Sequence, residues 1–418
     1  MVETPAKYGG SPVRTSPLPS VADISGRWIG NEELSLLIDV LRSGRLNRVY
    51  GTFVKKFERM FAEIMGVKYA IASTSGTAAI HIALGACNIG PGDEVITTPI
   101  TDMGTIIPIL FQNAIPVFAD VNSETYNLDP GAIRKSLSDK TRAIIVVHLF
   151  GIPADMDPIM EIAEQHDLYV IEDCAQAYLA EYKGKLVGTI GHLGAFSLQQ
   201  SKHITCGDGG VTITNDEELA QRARLFADKG WDREHGRCHL FLGNNYRMTE
   251  LQGAVALAQL NKLRWVVERR RYLAGILTRK LETLDGISPL KPPKGCKASY
   301  WQYPVKVNTR LLGADLEEFS EALKAEGIPN SPGYVPPVYL QPVFAKRRVY
   351  RDPRCPFECP LYGRKVCYSE GICPNAERMN KEVLIIPWNE FYTKRDIEDI
   401  ARAFEKLVNY YLSRKQGS

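Results

Sequence analysis

Between residues 68 and 214 the chain alternates short apolar runs with amphipathic stretches, and this alternation restricts the fold more than any other feature. Strand-like runs fall at 69–72, 94–97, 116–121, 143–148, 169–172, 194–198 and 211–214. Helical periodicity occupies 76–86, 104–112, 130–137 and 156–165. Asp129 and Pro130 suit the cap and first-turn positions of the third of these helices. Strands separated by helices of this length are expected to form a mostly parallel sheet covered on both faces. Ligands of such sheets bind beyond the carboxyl ends of the strands.

On either side the pattern differs. Residues 1–30 are rich in Pro, Gly and Ser and read as an extended arm. A helix follows at 31–41, with Leu34, Leu37, Ile38 and Leu41 on one face, then a second at 54–65. A charged helix is expected at 216–228. Thr249 and Gln252 make a capping-box pattern that opens a single long helix to about residue 284. At 1.5 Å per residue such a helix is roughly 50 Å long, enough to link a large domain to a small one. Strands at 300–307 and 383–386, with helices at 315–325 and 393–412, complete an α+β C-terminal part. The expected division is an arm (1–30), a large α/β domain (31–265) and a small α+β domain (266–418).

Composition works by exclusion. The net charge of +3 and the absence of a long basic run give no reason to expect nucleic acid. No apolar run approaches a bilayer span, and residues 1–30 lack a charged-then-apolar signal, so a cytoplasmic protein without a membrane partner is expected. Nine scattered cysteines fit a reducing compartment. Cys355, Cys359, Cys367 and Cys373 cluster, but without paired Cys-x-x-Cys spacing, so free thiols are expected there and no metal site is assigned.

The strand ends carry the chemistry. The first runs into Ser75-Gly76-Thr77 at the start of a helix. Small hydroxyls and a glycine at a helix N-terminus suit an anion cradle, or simply a cap. The run at 168–173 ends in Asp173, followed by Gln176. A carboxylate at a strand tip can hold a protonated pyridine nitrogen, with Gln176 donating to the ring oxygen; it can equally cap the next turn. The run ending near Leu198 gives Ser197, Lys202 and then Gly207, Gly209 and Gly210. That spacing lets a hydroxyl bind phosphate while the lysine reaches a carbonyl carbon as a Schiff base. A lone lysine is more often a solvated surface group. Finally, Asn245 and Arg247 precede the long helix, placed to reach an anion or to form a turn.

In this order, Ser75-Gly76-Thr77, Glu172-Asp173-Cys174-Ala175-Gln176-Ala177, Ser197 with Lys202, Gly207-Asp208-Gly209-Gly210 and Asn245-Tyr246-Arg247-Met248 resemble the DegT/StrS-type aminotransferases of sugar and cyclitol biosynthesis. The resemblance runs from about Gly26 to the final helix and implies a fold-type I enzyme using pyridoxal 5'-phosphate (PLP). By resemblance, Lys202 bonds the cofactor and moves the proton, Asp173 pairs with the ring nitrogen, and Gln176 contacts the ring oxygen. Ser75, Gly76, Thr77 and Ser197 surround the phosphate. Asn245 reaches the phosphate of a neighbouring subunit, which implies a homodimer with shared sites. Relatives that remove a hydroxyl carry histidine where this chain has Lys202, so transamination is expected. Gln199 and Gln200 before the lysine resemble the subgroup that aminates inososes, cyclic ketones, from glutamine; nucleotide-linked keto-sugars with glutamate as donor are the competing substrates. One position departs from the pattern. Where the family places an aromatic residue over the ring, this chain has Asp102, beside Met103, and the stacking role has no owner.

Overall fold

The computed structural model describes residues 2–416. Seven strands form the principal sheet: β1 (Tyr69–Ser73), β2 (Glu94–Thr97), β3 (Ile115–Phe118), β4 (Thr141–Val147), β5 (Tyr169–Asp173), β6 (Leu193–Ser197) and β7 (Gly210–Thr214). Their order is β1-β7-β6-β5-β4-β2-β3. Only β7 runs against its neighbours; the remaining pairs are parallel. Strands β2, β6 and β7 are buried at every residue, as the near-continuous apolar runs require of a sheet covered on both faces.

The helices are α1 (Asn31–Ser43), α2 (Phe53–Met65), α3 (Gly76–Ala86), α4 (Met103–Phe111), α5 (Pro130–Ser136), α6 (Met156–Gln165), α7 (Glu217–Phe226), α8 (Glu250–Leu260) and α9 (Leu263–Leu281). One core layer joins Phe57 and Phe61 of α2 and Ile159 and Ile162 of α6 to Val170 and Phe196 of the sheet. The opposite layer joins Ile80 and Leu84 of α3 and Ala223 of α7 to Ile145 and Ile171. A second, four-stranded sheet follows in the order Ile287–Pro289, Gln302–Val307, Val383–Pro387, Ser331–Pro332, antiparallel throughout. With the C-terminal helix Lys394–Gln416 and α9 it encloses a separate core around Phe319, Phe404 and Trp388.

Two expectations change. The long helix is two: α8 ends at Leu260 and α9 starts at Leu263. At the break Lys262 N donates to Gln259 O, a tighter bond than the helical one, and the buried Lys262 Nζ pairs with Glu33 (2.5 Å) and Glu32 (2.9 Å) of α1. The strand expected from residue 300 begins at Gln302, because Tyr300 has φ 53°. The apolar face of α1 is uncovered, with Leu34 56% and Leu41 62% exposed.

Among its described residues the N-terminal segment has two short helical turns, Ala6–Tyr8 and Ile24–Gly26, yet it is fastened down. Glu326 accepts from Ala6 N (2.7 Å) and Val13 N (2.9 Å) and pairs with buried Lys406 (2.9 Å). Among the described residues, no helix is long and apolar enough to cross a membrane. All nine cysteines are free; Cys373 is buried and donates to Phe118 O, whereas Cys355 and Cys367 are exposed.

Candidate active site

Strands β1, β5 and β6 point the same way, so their carboxyl ends open on one side of the sheet. A cavity of about 320 Å³ lies there, and Ser75, Gly76, Thr77, Asp173, Gln176, Ser197 and Lys202 all line it. Residues spread over more than a hundred positions thus meet because three strands end together.

At one end stands the start of α3. Ser75 Oγ accepts from Ala78 N (3.1 Å), a true N-cap. Capping satisfies that donor and leaves the first-turn N–H groups of Gly76 and Thr77 without helical partners, so cap and anion cradle coexist. A Cβ on Gly76 would sit 2.7 Å from Ser197 Cβ and 3.0 Å from its Oγ. Only glycine leaves room there.

Across the cavity, Asp173 Oδ2 accepts from Thr105 Oγ1 (2.7 Å) and Oδ1 from Ala175 N (3.0 Å). The second bond closes a turn rather than capping a helix. Burial pushes the Asp173 carboxyl above the usual range, against the opposing pull of Thr105, Ala175 N and Lys202. Burial likewise brings the Lys202 amine down to about 8, opposed by Asp173 and Asp102. An acid costly to ionise thus faces an amine costly to protonate, the environment a cationic ring nitrogen and an electrophilic carbonyl carbon would each relieve. Gln176 Oε1 accepts from Phe150 N (2.6 Å) and Nε2 donates to the Tyr334 hydroxyl (3.1 Å), which leaves one amide hydrogen over. These residues fit PLP: a helix-start cradle beside Ser197, a buried acid and an attackable amine share one cavity.

Asn245 is not brought in; it is exposed, does not line the cavity, and bridges to Asp228. Its neighbours are occupied too: Arg247 pairs with Asp228, and the Tyr246 hydroxyl meets His81 Nδ1 (2.7 Å). Asp102 lines the cavity and caps α4 through Gly104 N (2.7 Å), whereas Met103 packs on the core instead. Tyr334 also lines the cavity, whereas Tyr339 is buried against Glu377.

Sequence reasoning missed Thr105 and Trp301. Thr105 shares the first turn of α4 with Asp102 and faces Asp173, a spacing that could have exposed it. Trp301 had no local signal, arriving 100 residues after Ser201, whose carbonyl takes its indole N–H at 2.8 Å. A buried trio, His148, Glu172 and Cys174, gathers metal-ligand atom types. His148 Nδ1 accepts from Ala154 N (3.0 Å), so Nε2 bears the proton it gives Glu172 (2.9 Å), and the imidazole has no lone pair left for an ion.

A largely parallel sheet with this pair of groups at its carboxyl edge is the arrangement of a fold-type I PLP enzyme, and the relatives make it an aminotransferase. The chain belongs to the DegT/DnrJ/EryC1/StrS aminotransferase family, which it matches over residues 27–405. It is 36% identical to a putative L-glutamine:3-amino-2,3-dideoxy-scyllo-inosose aminotransferase from Micromonospora echinospora, over 82% of this chain and 83% of that one. It is also 36% identical to a GDP-perosamine synthase from Caulobacter vibrioides, over 79% of this chain and 88% of the relative. An aminotransferase of known structure from Psychrobacter cryohalolentis superposes with a TM-score of 0.83 at 32% identity, covering 91% of this chain and 97% of that one.

Proposed function

We propose that this enzyme moves an amino group from glutamine or glutamate to a cyclic ketone, a ketocyclitol such as an inosose. The observation that carries the reading is Lys202 and Asp173 facing one cavity beside the start of α3. Bound PLP supplies an aldehyde for the amine and a ring that withdraws electrons. Asp173 holds the proton on the ring nitrogen, and Gln176 gives its spare amide hydrogen to the ring oxygen. Ser75, Gly76, Thr77 and Ser197 bind the phosphate. Lys202 Nζ, held near neutrality, takes the proton from the donor's α-carbon and, in the reverse half, delivers one to the acceptor's ring carbon. The inosose reading rests on the similarity to the Micromonospora relative. The GDP-perosamine synthase relative supports nucleotide-linked keto-sugars as the second reading.

The same reading includes a homodimer in a cytoplasmic setting. The uncovered apolar face of α1 is a surface a second copy would bury, and Asn245, whose side chain is exposed outside its own cavity, would reach a partner's phosphate. We place the domain boundary near 265, in the first turn of α9, with the arm of residues 1–30 belonging to neither sheet.

The test is a screen of glutamine, glutamate and other amino acids against scyllo-inosose and nucleotide-linked keto-sugars, following the cofactor spectrum. Amination of the inosose from glutamine is expected; turnover confined to nucleotide-linked sugars would replace the acceptor. A Lys202→Ala protein with full turnover would end the reading altogether.

A further inference from the structure

Trp301 belongs to the approach to the second sheet, yet its indole lies over the reactive amine: Lys202 Nζ is 4.2 Å from the ring centroid. The ring is held from several directions. Its Nε1–H donates to Ser201 O, one residue before Lys202. Its backbone N–H donates to Phe150 O at 2.9 Å, beside the amide that holds Gln176. Tyr334 packs edge-on against it, with centroids 6.0 Å apart and planes at 86°. Its own carbonyl and that of Tyr300 accept from Arg270 Nη1, each at 3.1 Å.

Arg270 is fully buried, and its Nε donates to Glu390 Oε2 at 2.8 Å. Nη2 lies 2.7 Å from the same oxygen, outside hydrogen-bond geometry. A buried ion pair therefore fixes the peptide that carries Trp301, next to a Tyr300 whose positive φ a tyrosine rarely adopts. Trp301 is mostly buried and shares a hydrophobic core cluster, yet it also lines the polar cavity, where the amine of Lys202 lies over its ring.

We propose that Trp301 is the acceptor-stacking residue: its indole face receives the C–H face of the saturated six-membered polyol ring whose carbonyl Lys202 serves. The inference rests on the reading that the acceptor is a ring ketone. A polyol ring in chair form presents C–H groups on its faces and hydroxyls around its rim. An aromatic plane suits the face, and Asp102, Gln199 and Ser201, which line the same cavity, suit the rim. Stacking would also set the distance between the acceptor carbon and Nζ. An amino-acid donor has no such ring and would not use the indole. Trp301 therefore discriminates between the two half-reactions.

The test compares Trp301→Leu and Trp301→Phe with the wild type, all loaded with PLP. Each half-reaction is followed separately by absorbance, glutamine alone and then scyllo-inosose, and calorimetry measures binding of myo-inositol, which has no carbonyl to react. W301L should raise the acceptor KM at least about tenfold, weaken myo-inositol binding in step, and leave the donor half-reaction and PLP affinity within about threefold. W301F should restore the acceptor KM to within about threefold of wild type. Equal losses in both half-reactions, or a W301L protein that binds myo-inositol as the wild type does, overturn the proposal while leaving the transaminase intact. A wild type that aminates only nucleotide-linked sugars and shows the same selective KM effect with them corrects the cyclitol reading and keeps the stacking role. A wild type that aminates no ring ketone defeats both.

Discussion

Asp173 and Lys202 are each made uncomfortable by their surroundings, and single substitutions should read that discomfort. Thr105→Val removes one of the two hydrogen bonds to the Asp173 carboxylate. Its loss should cost about 1–2 kcal/mol of cofactor binding, roughly tenfold in Kd, measurable by titrating the cofactor-free protein with PLP. Lys202 predicts a pH signature in the same cofactor-free protein. Its amine titrates at about 8 in the fold against 10.5 ordinarily, so the folded state binds the proton less tightly than the unfolded chain. The penalty is full below pH 8 and fades as pH rises towards 10.5. Lys202→Met should therefore stabilise the cofactor-free protein at pH 7 by on the order of 3 kcal/mol, and the gain should nearly vanish by pH 10.5. Paired urea titrations at the two pH values check this. A gain independent of pH would mean that packing, not charge, sets the difference.

At the scale of elements, the glycines after Lys202 show their purpose in how β7 lies against the start of α3. A Cβ on Gly210 would fall 2.1 Å from Ser75 O, an approach no side chain permits. Gly210→Ala should push β7 from the cradle, lowering both the melting temperature and PLP affinity; a drop in one alone would contradict this geometry. The strands and helices of the principal sheet were legible because apolar runs and caps are local signals. So were Lys202, Asp173 and Ser75, which sit where strands end. The break at Lys262 was not read, because the capping box marks a start and the local stop signal is a single Asn261, which caps α8. What turns the chain there is an ion pair with α1, some 230 residues earlier. Trp301 escaped for the same reason: its partners are Ser201, Phe150 and Arg270, none near it in the chain.

For the molecule as a whole, the exposed Leu34 and Leu41 make a prediction about assembly. Replacing both with glutamate should convert the proposed dimer to monomers without unfolding the chain, as followed by sedimentation and circular dichroism. Activity should fall with the dimer, because Asn245 would lose its neighbour. Glu326→Ala tests the fastening of the N-terminal segment. It leaves buried Lys406 without its counter-ion, holding only Ser11 O (2.7 Å), and should cost roughly 3–5 kcal/mol, read from denaturant midpoints. The segment matters beyond its own stability, since Arg27 near its end is buried and donates to Lys202 O (2.7 Å) and to Gln200 O. Those first residues leave the ribosome early, but their docking sites on Glu326 and Lys406 emerge only near the close of synthesis. A nascent chain stalled short of its last helix would therefore carry every cavity residue, and Arg27 with them, yet lack the Lys406 that with Glu326 fastens the segment bearing Arg27.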